Sequence, residues 1–161
     1  MGELGLPRLL EVTDNRLGFD CGDEVINRWF RDHAWLSHTA RTSRVYVVLR
    51  DQRVAGFYAL ANSAMNRKYL PPAMQDKLPR HPIPLILLAR LGVSVDEAGR
   101  GLAGSLIKDA VLRSLLLSEQ SGAVGLVVHA GSESASRFYQ HLGFDPAVAI
   151  ERTFVFPLSI H

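Results

Sequence analysis

The chain has 161 residues and a mass of 17.8 kDa, with 47% hydrophobic and 21% charged residues and a mean hydropathy of +0.06. Those values predict one globular domain over residues 1–161 and exclude a disordered, collagen-like or acidic solvating segment. Net charge is only +2, and the single cysteine, Cys21, rules out an intramolecular disulfide, so a reducing, cytoplasmic setting is expected.

Leu9 to Val12 is a short apolar run that predicts a first strand. Phe19-Asp20-Cys21-Gly22 is turn chemistry, and Asp23 follows as a helix N-cap. Val25, Ile26, Trp29, Phe30, His33 and Leu36 then recur at helical spacing, opposite Arg28, Arg31 and Asp32. That pattern predicts one amphipathic helix. Arg44–Leu49 and Val54–Leu60 are rich in β-branched and aromatic residues, and Asp51-Gln52-Arg53 between them predicts a hairpin. The proline-rich, basic stretch Asn66–Pro82 reads as a loop, with one helical turn near Ala73–Lys77. Pro84–Val95 is an apolar strand, and Asp96–Gly104 opens a long helix that Gly122 stops. On that helix Leu102, Leu106 and Ala110 share a face beside Ala103, Ile107, Val111 and Leu115. Val124–His129 is a buried-type strand, Ser132–His141 a short helix ended by Gly143, and Thr153–Ile160 a last strand. No signal peptide is read at Met1–Pro7, and the apolar run Ile83–Ala89 is too short to cross a bilayer. The domain is therefore mixed, α/β or α+β.

Charge is unevenly distributed. From Arg41 to Arg90 there are nine basic residues (Arg41, Arg44, Arg50, Arg53, Arg67, Lys68, Lys77, Arg80, Arg90) against Asp51 and Asp76, whereas acids outnumber bases beyond Leu91. A basic half on a nearly neutral chain fits a polyanionic partner, or simply solvated strand and loop charges. The histidines show no metal-ligand spacing, and no metal site is expected.

Gly99-Arg100-Gly101-Leu102-Ala103-Gly104 stands between a predicted strand and a predicted helix. Glycines there let the backbone approach a ligand, and the first amides of a helix favour anions. Arg100 adds a cationic fork. The segment lacks the Gly-Lys-Ser/Thr of a Walker loop and the spacing of a dinucleotide fingerprint.

These residues, with those about thirty positions on, resemble the GNAT N-acetyltransferases. Their acyl-CoA loop reads Arg/Gln-x-x-Gly-x-Gly/Ala; here it is Ala98-Gly99-Arg100-Gly101-Leu102-Ala103. Their next signature, Asn-x-x-Ala-x-x-Phe-Tyr-x-x-x-Gly-Phe, is matched from Ser132 through Ala135, Phe138, Tyr139, Gly143 and Phe144, with Ser132 in place of Asn. Phe19–Gly22, Tyr46-Val47-Val48, Gly56–Leu60 and Pro84 through Val93 resemble one subgroup more closely. That subgroup is the acetyltransferase toxins of type II toxin–antitoxin systems, and the similarity covers about residues 8 to 160.

The resemblance implies a GNAT fold: a mixed, largely antiparallel sheet with helices on both faces and a splayed central strand pair. It implies acetyl transfer from acetyl-CoA to the α-amine of aminoacyl-tRNA, which blocks translation. The implied partners are aminoacyl-tRNA, a neutralising ribbon-helix-helix antitoxin and a second copy of the chain in a homodimer. Acetyl-CoA would lie on Leu91, Gly92 and Val93 and on Gly99, Arg100, Gly101, Leu102, Ala103 and Gly104. Tyr139 would be the general acid for the leaving thiolate, and Arg80 and Arg90 would contact tRNA. Two other functions are compatible with the residues. One is acetylation of a protein N-terminus or a small amine. The other, raised by Ala98 and Ser132, is a CoA- or antitoxin-binding module that has lost catalysis.

Overall fold

The structure is a computed structural model that describes residues 2–158. Its elements run β1 (Arg8–Leu9), α1 (Glu24–Asp32), α2 (Ala34–Thr39), β2 (Arg44–Arg50), β3 (Arg53–Met65), β4 (Ile83–Val93), α3 (Leu102–Ser121), β5 (Gly125–His129), α4 (Glu133–His141), β6 (Asp145–Pro146) and β7 (Thr153–Pro157). The strands form one seven-stranded sheet in the order β1-β2-β3-β4-β5-β7-β6, and of the registered pairs only β4 and β5 run parallel. The chain divides into two compact units: residues up to Ala61 with Ala89–Ala110, and Asn62–Leu88 with the chain from Val111 onward.

In the first unit, β2 and β3 form the expected hairpin, with Arg50 opposite Arg53. Asp51 and Gln52 both take left-handed backbone, at φ 51° and 66°. Two such residues make the turn whose twist matches that of the strands. Tyr46 lies opposite Tyr58, their rings stacked 5.1 Å apart. Asp23 caps α1 as expected, accepting from the amides of Val25 and Ile26. Phe30 of that helix, with Phe19 and Phe57 beneath it, forms the aromatic centre of the unit's core, Phe30 lying 4.1 Å from Phe57. Burying each such ring contributes roughly 1.5–3 kcal/mol. Trp29 stacks on Phe57 from the edge of this cluster, and Cys21 packs against it, its thiol pKa pushed up by burial.

Two expectations here need correction. The first strand is Arg8–Leu9 rather than Leu9–Val12. Arg8 forms a two-pronged pair with Asp14 (2.9 and 2.8 Å), and Asp14 also accepts from the Glu11 amide, so the chain turns away after Leu9. The first helix is two helices, broken at His33, whose backbone (φ −123°, ψ −20°) leaves the helical region.

In the second unit, β5 and β7 pair from Gly125↔Pro157 to His129↔Thr153. Leu70, Ile83, Leu85, Val127 and Val155 form its apolar centre. The Asn66–Pro82 loop contains two 3-10 turns, Arg67–Tyr69 and Pro72–Met74, in place of a helical turn at Ala73–Lys77. Asn66 caps the first, and proline begins the second. The strand β6 was not expected, being only two residues long. The predicted last strand holds for Thr153–Pro157, and its end at Ser159 and Ile160 lies outside the described residues.

The histidine in α2 gives a pH prediction. The buried His38 ring accepts the Val45 amide at Nδ1 (3.0 Å), so it works as a neutral imidazole. Burial, with Arg44 and Arg41 nearby, holds its pKa below 6.5. The unfolded chain therefore takes up more protons than the folded one just below that value. Stability from this group is complete above pH 6.5 and falls as the pH drops through the window beneath it. Denaturant midpoints should decline from about pH 7 to about pH 5, and His38→Gln, which still accepts but does not titrate, should flatten the slope. An unchanged slope in that variant would contradict the assignment.

Candidate active site

The β4-to-α3 connection is built from short local bonds. Ser94 caps a 3-10 turn, Val95–Glu97, by accepting the Asp96 amide. Ala98 is extended and donates its amide to Val95 O. Gly99 and Gly101 then take left-handed backbone, at φ 79° and 78°. A Cβ at either position would meet nothing within 4 Å, so their glycines answer to backbone conformation rather than to packing. Ser105 makes the first helical bond, to Gly101 O at 3.2 Å. The amides of Leu102, Ala103 and Gly104 thus have no intrahelical acceptor and point out of the positive end of a 20-residue helix. Open space above the turn, orphan amides and the exposed Arg100 fit a pyrophosphate.

Among the residues expected to hold acetyl-CoA, two also serve the core. Leu102 is buried, and its side chain lies beside Gly56 with that of Leu106. Gly92 lies against the aromatic cluster, where a Cβ would come within 2.7 Å of Phe57 and 3.2 Å of both Ile26 and Phe19. Leu91 and Val93 flank it, half-buried, and the next amide, Ser94, donates to Ala55 O at 2.8 Å.

Sequence reading had not singled out Glu97 or Arg50 as site residues. The Glu97 carboxylate is buried and takes a two-pronged pair from Arg50 at 2.9 and 3.1 Å. The Arg50 hydrogen bonds hold the Glu97 pKa down, and the same bonds raise that of Arg50. Nothing local flags the pair, because its members are 47 residues apart. A cavity of about 320 Å³ adjoins it, lined also by Arg53, Ser94, Asp96 and Arg100.

Tyr139 lies in the second unit, on α4. Ser132 caps that helix by accepting the Ala135 amide at 3.1 Å, so the serine found in place of asparagine does local structural work. The Tyr139 ring packs edge-on against Phe144 at 5.4 Å and is 7% exposed. Burial alone pushes its pKa up to about 12. Of the residues expected to meet tRNA, Arg90 is exposed in the first unit with its guanidinium 5.3 Å from the Trp29 ring centre, and Arg80 is exposed on the basic loop of the second. Among the described residues no cluster of three or more His, Cys, Asp or Glu could hold a metal ion.

The family model described as an acetyltransferase (GNAT) domain matches residues 41–146. The chain belongs to the GNAT acetyltransferase family. A tRNA-acetylating toxin of Mycobacterium tuberculosis is 34% identical over 145 residues, which span 90% of this chain and 87% of that protein. The solved structure of AtaT complexed with acetyl-methionyl-tRNAfMet superposes with a TM-score of 0.90 at 31% identity, covering 96% of this chain and 95% of that one. A tyrosine-to-phenylalanine mutant of the AtaT toxin, bound to the C-terminus of the antitoxin AtaR and to acetyl-CoA, matches at TM-score 0.81 and 28% identity, over 97% and 94% of the two chains. Among the described residues, the seven-stranded mixed sheet with four α-helices is the GNAT fold of these structures.

The packing at Gly92 gives a second prediction. Phe57 is fully buried and stacked, so it cannot yield to a methyl group 2.7 Å away. Gly92→Ala should cost about 1–3 kcal/mol, the usual range for overpacking, as a lower urea midpoint with unchanged slope. A wild-type midpoint would mean that the aromatic cluster is looser than described.

Proposed function

We propose that this acetyltransferase moves acetyl from acetyl-CoA to the α-amine of an amino acid esterified to tRNA, and so acts as a toxin that blocks translation. The observation that carries the reading is the likeness, over nearly the whole chain, to AtaT in its complex with acetyl-methionyl-tRNAfMet. The tRNA-acetylating relative supports it independently. Acetyl-CoA supplies an activated thioester.

The chain's own groups fit the remaining needs. Amides at the start of α3 and Arg100 would bind the pyrophosphate, and the main chain of Leu91, Gly92 and Val93 would pair with the pantetheine arm. The attacking amine must be neutral. A free α-amine has a pKa of about 7.7–8 and an esterified one lower, so no strong base is needed near neutral pH. The nitrogen attacks the thioester carbonyl, a C–N bond forms, the C–S bond breaks, and the amine loses a proton to solvent. Tyr139 gives its hydroxyl proton to the leaving thiolate and is reprotonated from solvent, which has taken up the amine proton. With a pKa of about 12 it is protonated at any working pH and available as an acid.

The same reading makes the inhibitor a ribbon-helix-helix antitoxin; AtaT is bound by the C-terminus of an antitoxin, AtaR. It makes the working unit a homodimer, supported by the exposed Leu112 and Leu116 one turn apart on α3. It places the action in the cytoplasm, where charged tRNA is found; no helix of the described residues is long and apolar enough to cross a membrane. Arg80 and Arg90 are the proposed tRNA contacts, since both present exposed cations from the basic part of the chain.

Tyr139→Phe tests the mechanism. Loss of general acid assistance should cut single-turnover acetylation of charged tRNA by ~10²–10⁴, with little change in KM or melting temperature. A stable variant with the wild-type rate would refute the acid role. A lowered melting temperature with an unchanged rate per folded molecule would make the hydroxyl structural.

A further inference from the structure

Glu97 is a buried acid beside a turn whose proposed ligand is an anion. Both its oxygens are engaged by Arg50: Nε donates to Oε2 at 2.9 Å and Nη2 to Oε1 at 3.1 Å. The third edge of the same guanidinium donates from Nη1 to Gly2 O at 2.7 Å. The fork thus ties the end of β2 to the last residue of the 3-10 turn before Gly99. Glu97 also meets Arg100 twice. The Arg100 amide donates to Glu97 O at 3.4 Å, and Arg100 Nη1 lies 3.9 Å from Glu97 Oε1.

A buried ion pair is weak evidence for stability, because apolar residues of similar volume often serve as well. What the fork supplies that apolar residues would not is direction: a planar, two-pronged bond fixes the carboxylate, and the carboxylate holds Arg100. We propose that Arg50 and Glu97 are a positioning pair, holding Arg100 and the Gly99–Gly104 turn in the orientation that receives the pyrophosphate of acetyl-CoA. The inference rests on the reading of that turn as the acetyl-CoA loop. Neither residue touches the reacting atoms, so their effect passes through Arg100 and the loop amides.

The test compares two thioesters, acetyl-CoA and S-acetylpantetheine, which lacks the phosphates. The double variant Arg50→Met/Glu97→Leu removes both charges and leaves neither partner buried alone. Its melting temperature and kcat should stay near wild type. Its kcat/KM for acetyl-CoA should fall by ~10–100-fold, the worth of one or two charge-assisted hydrogen bonds, while that for S-acetylpantetheine is kept. Arg50→Lys, which keeps the charge and loses the fork, should shift the ratio the same way by less, and it decides the matter if the double variant does not fold. Gly101→Glu, made in parallel, tests the loop itself by placing a negative side chain in the turn. If Gly101→Glu loses acetyl-CoA affinity while the pair variants discriminate between the thioesters as wild type does, the loop assignment stands and the positioning pair is refuted. Equal losses on both thioesters would also refute it, as a general structural effect. If a folded Gly101→Glu binds acetyl-CoA normally, the loop assignment fails and the pair's role falls with it.

Discussion

A strand must become a helix at Gly99 and Gly101, and the left-handed backbone of those two residues decides how. L side chains adopt that conformation at a cost, so two glycines carry the chain from β4 into α3. The same geometry sets three consequences together. Gly101 has no side chain with which to cap the helix, so the amides of Leu102, Ala103 and Gly104 stay open to a ligand. No side chain fills the space above the turn. Arg100, between the glycines, stays exposed beside that space. Leu102, one residue on, is buried and anchors the start of the helix in the first unit. Leu102 thus joins the core by its side chain and the proposed ligand site by its amide.

Magnitudes bear on the proposed proton chemistry. A phenol with a pKa of about 12 would be ionised in only about one molecule in 10⁵ at pH 7. It therefore stands protonated, with a proton to donate and almost no phenolate to act as a base. The attacking amine needs little help to lose its proton, whereas a leaving thiolate gains from a donor. The packing of Tyr139 against Phe144 buries the ring, and that burial is what keeps the phenol protonated for the proposed acid role.

Much of this was legible in the sequence because it is local. The Asp51-Gln52 turn, the Asp23 cap and the glycines before α3 each lie within a few residues of what they control. The features that escaped are non-local or very short. The break at His33 accompanies the use of the His38 ring to bond β2 seven residues later, which helical periodicity cannot register. The first strand was misplaced because Asp14 takes the Arg8 side chain and the Glu11 amide, which turns the chain out of the sheet just beyond Leu9. The strand β6 has two residues and no pattern of its own. The Arg50–Glu97 fork joins residues that were read separately, as one charge of a basic stretch and one letter of a loop. Gly92 reads as a cofactor residue from the family motif, whereas its contacts add a packing reason.

The central claim is that acetyl-CoA and a charged tRNA are the two substrates of one reaction. Incubating the purified protein with acetyl-labelled acetyl-CoA and matched pools of aminoacylated and deacylated tRNA tests it most directly. Label should appear on the aminoacylated pool alone, released by ester hydrolysis as N-acetyl amino acid. Label on both pools alike, or on neither while small amines or peptide N-termini are acetylated, would contradict it.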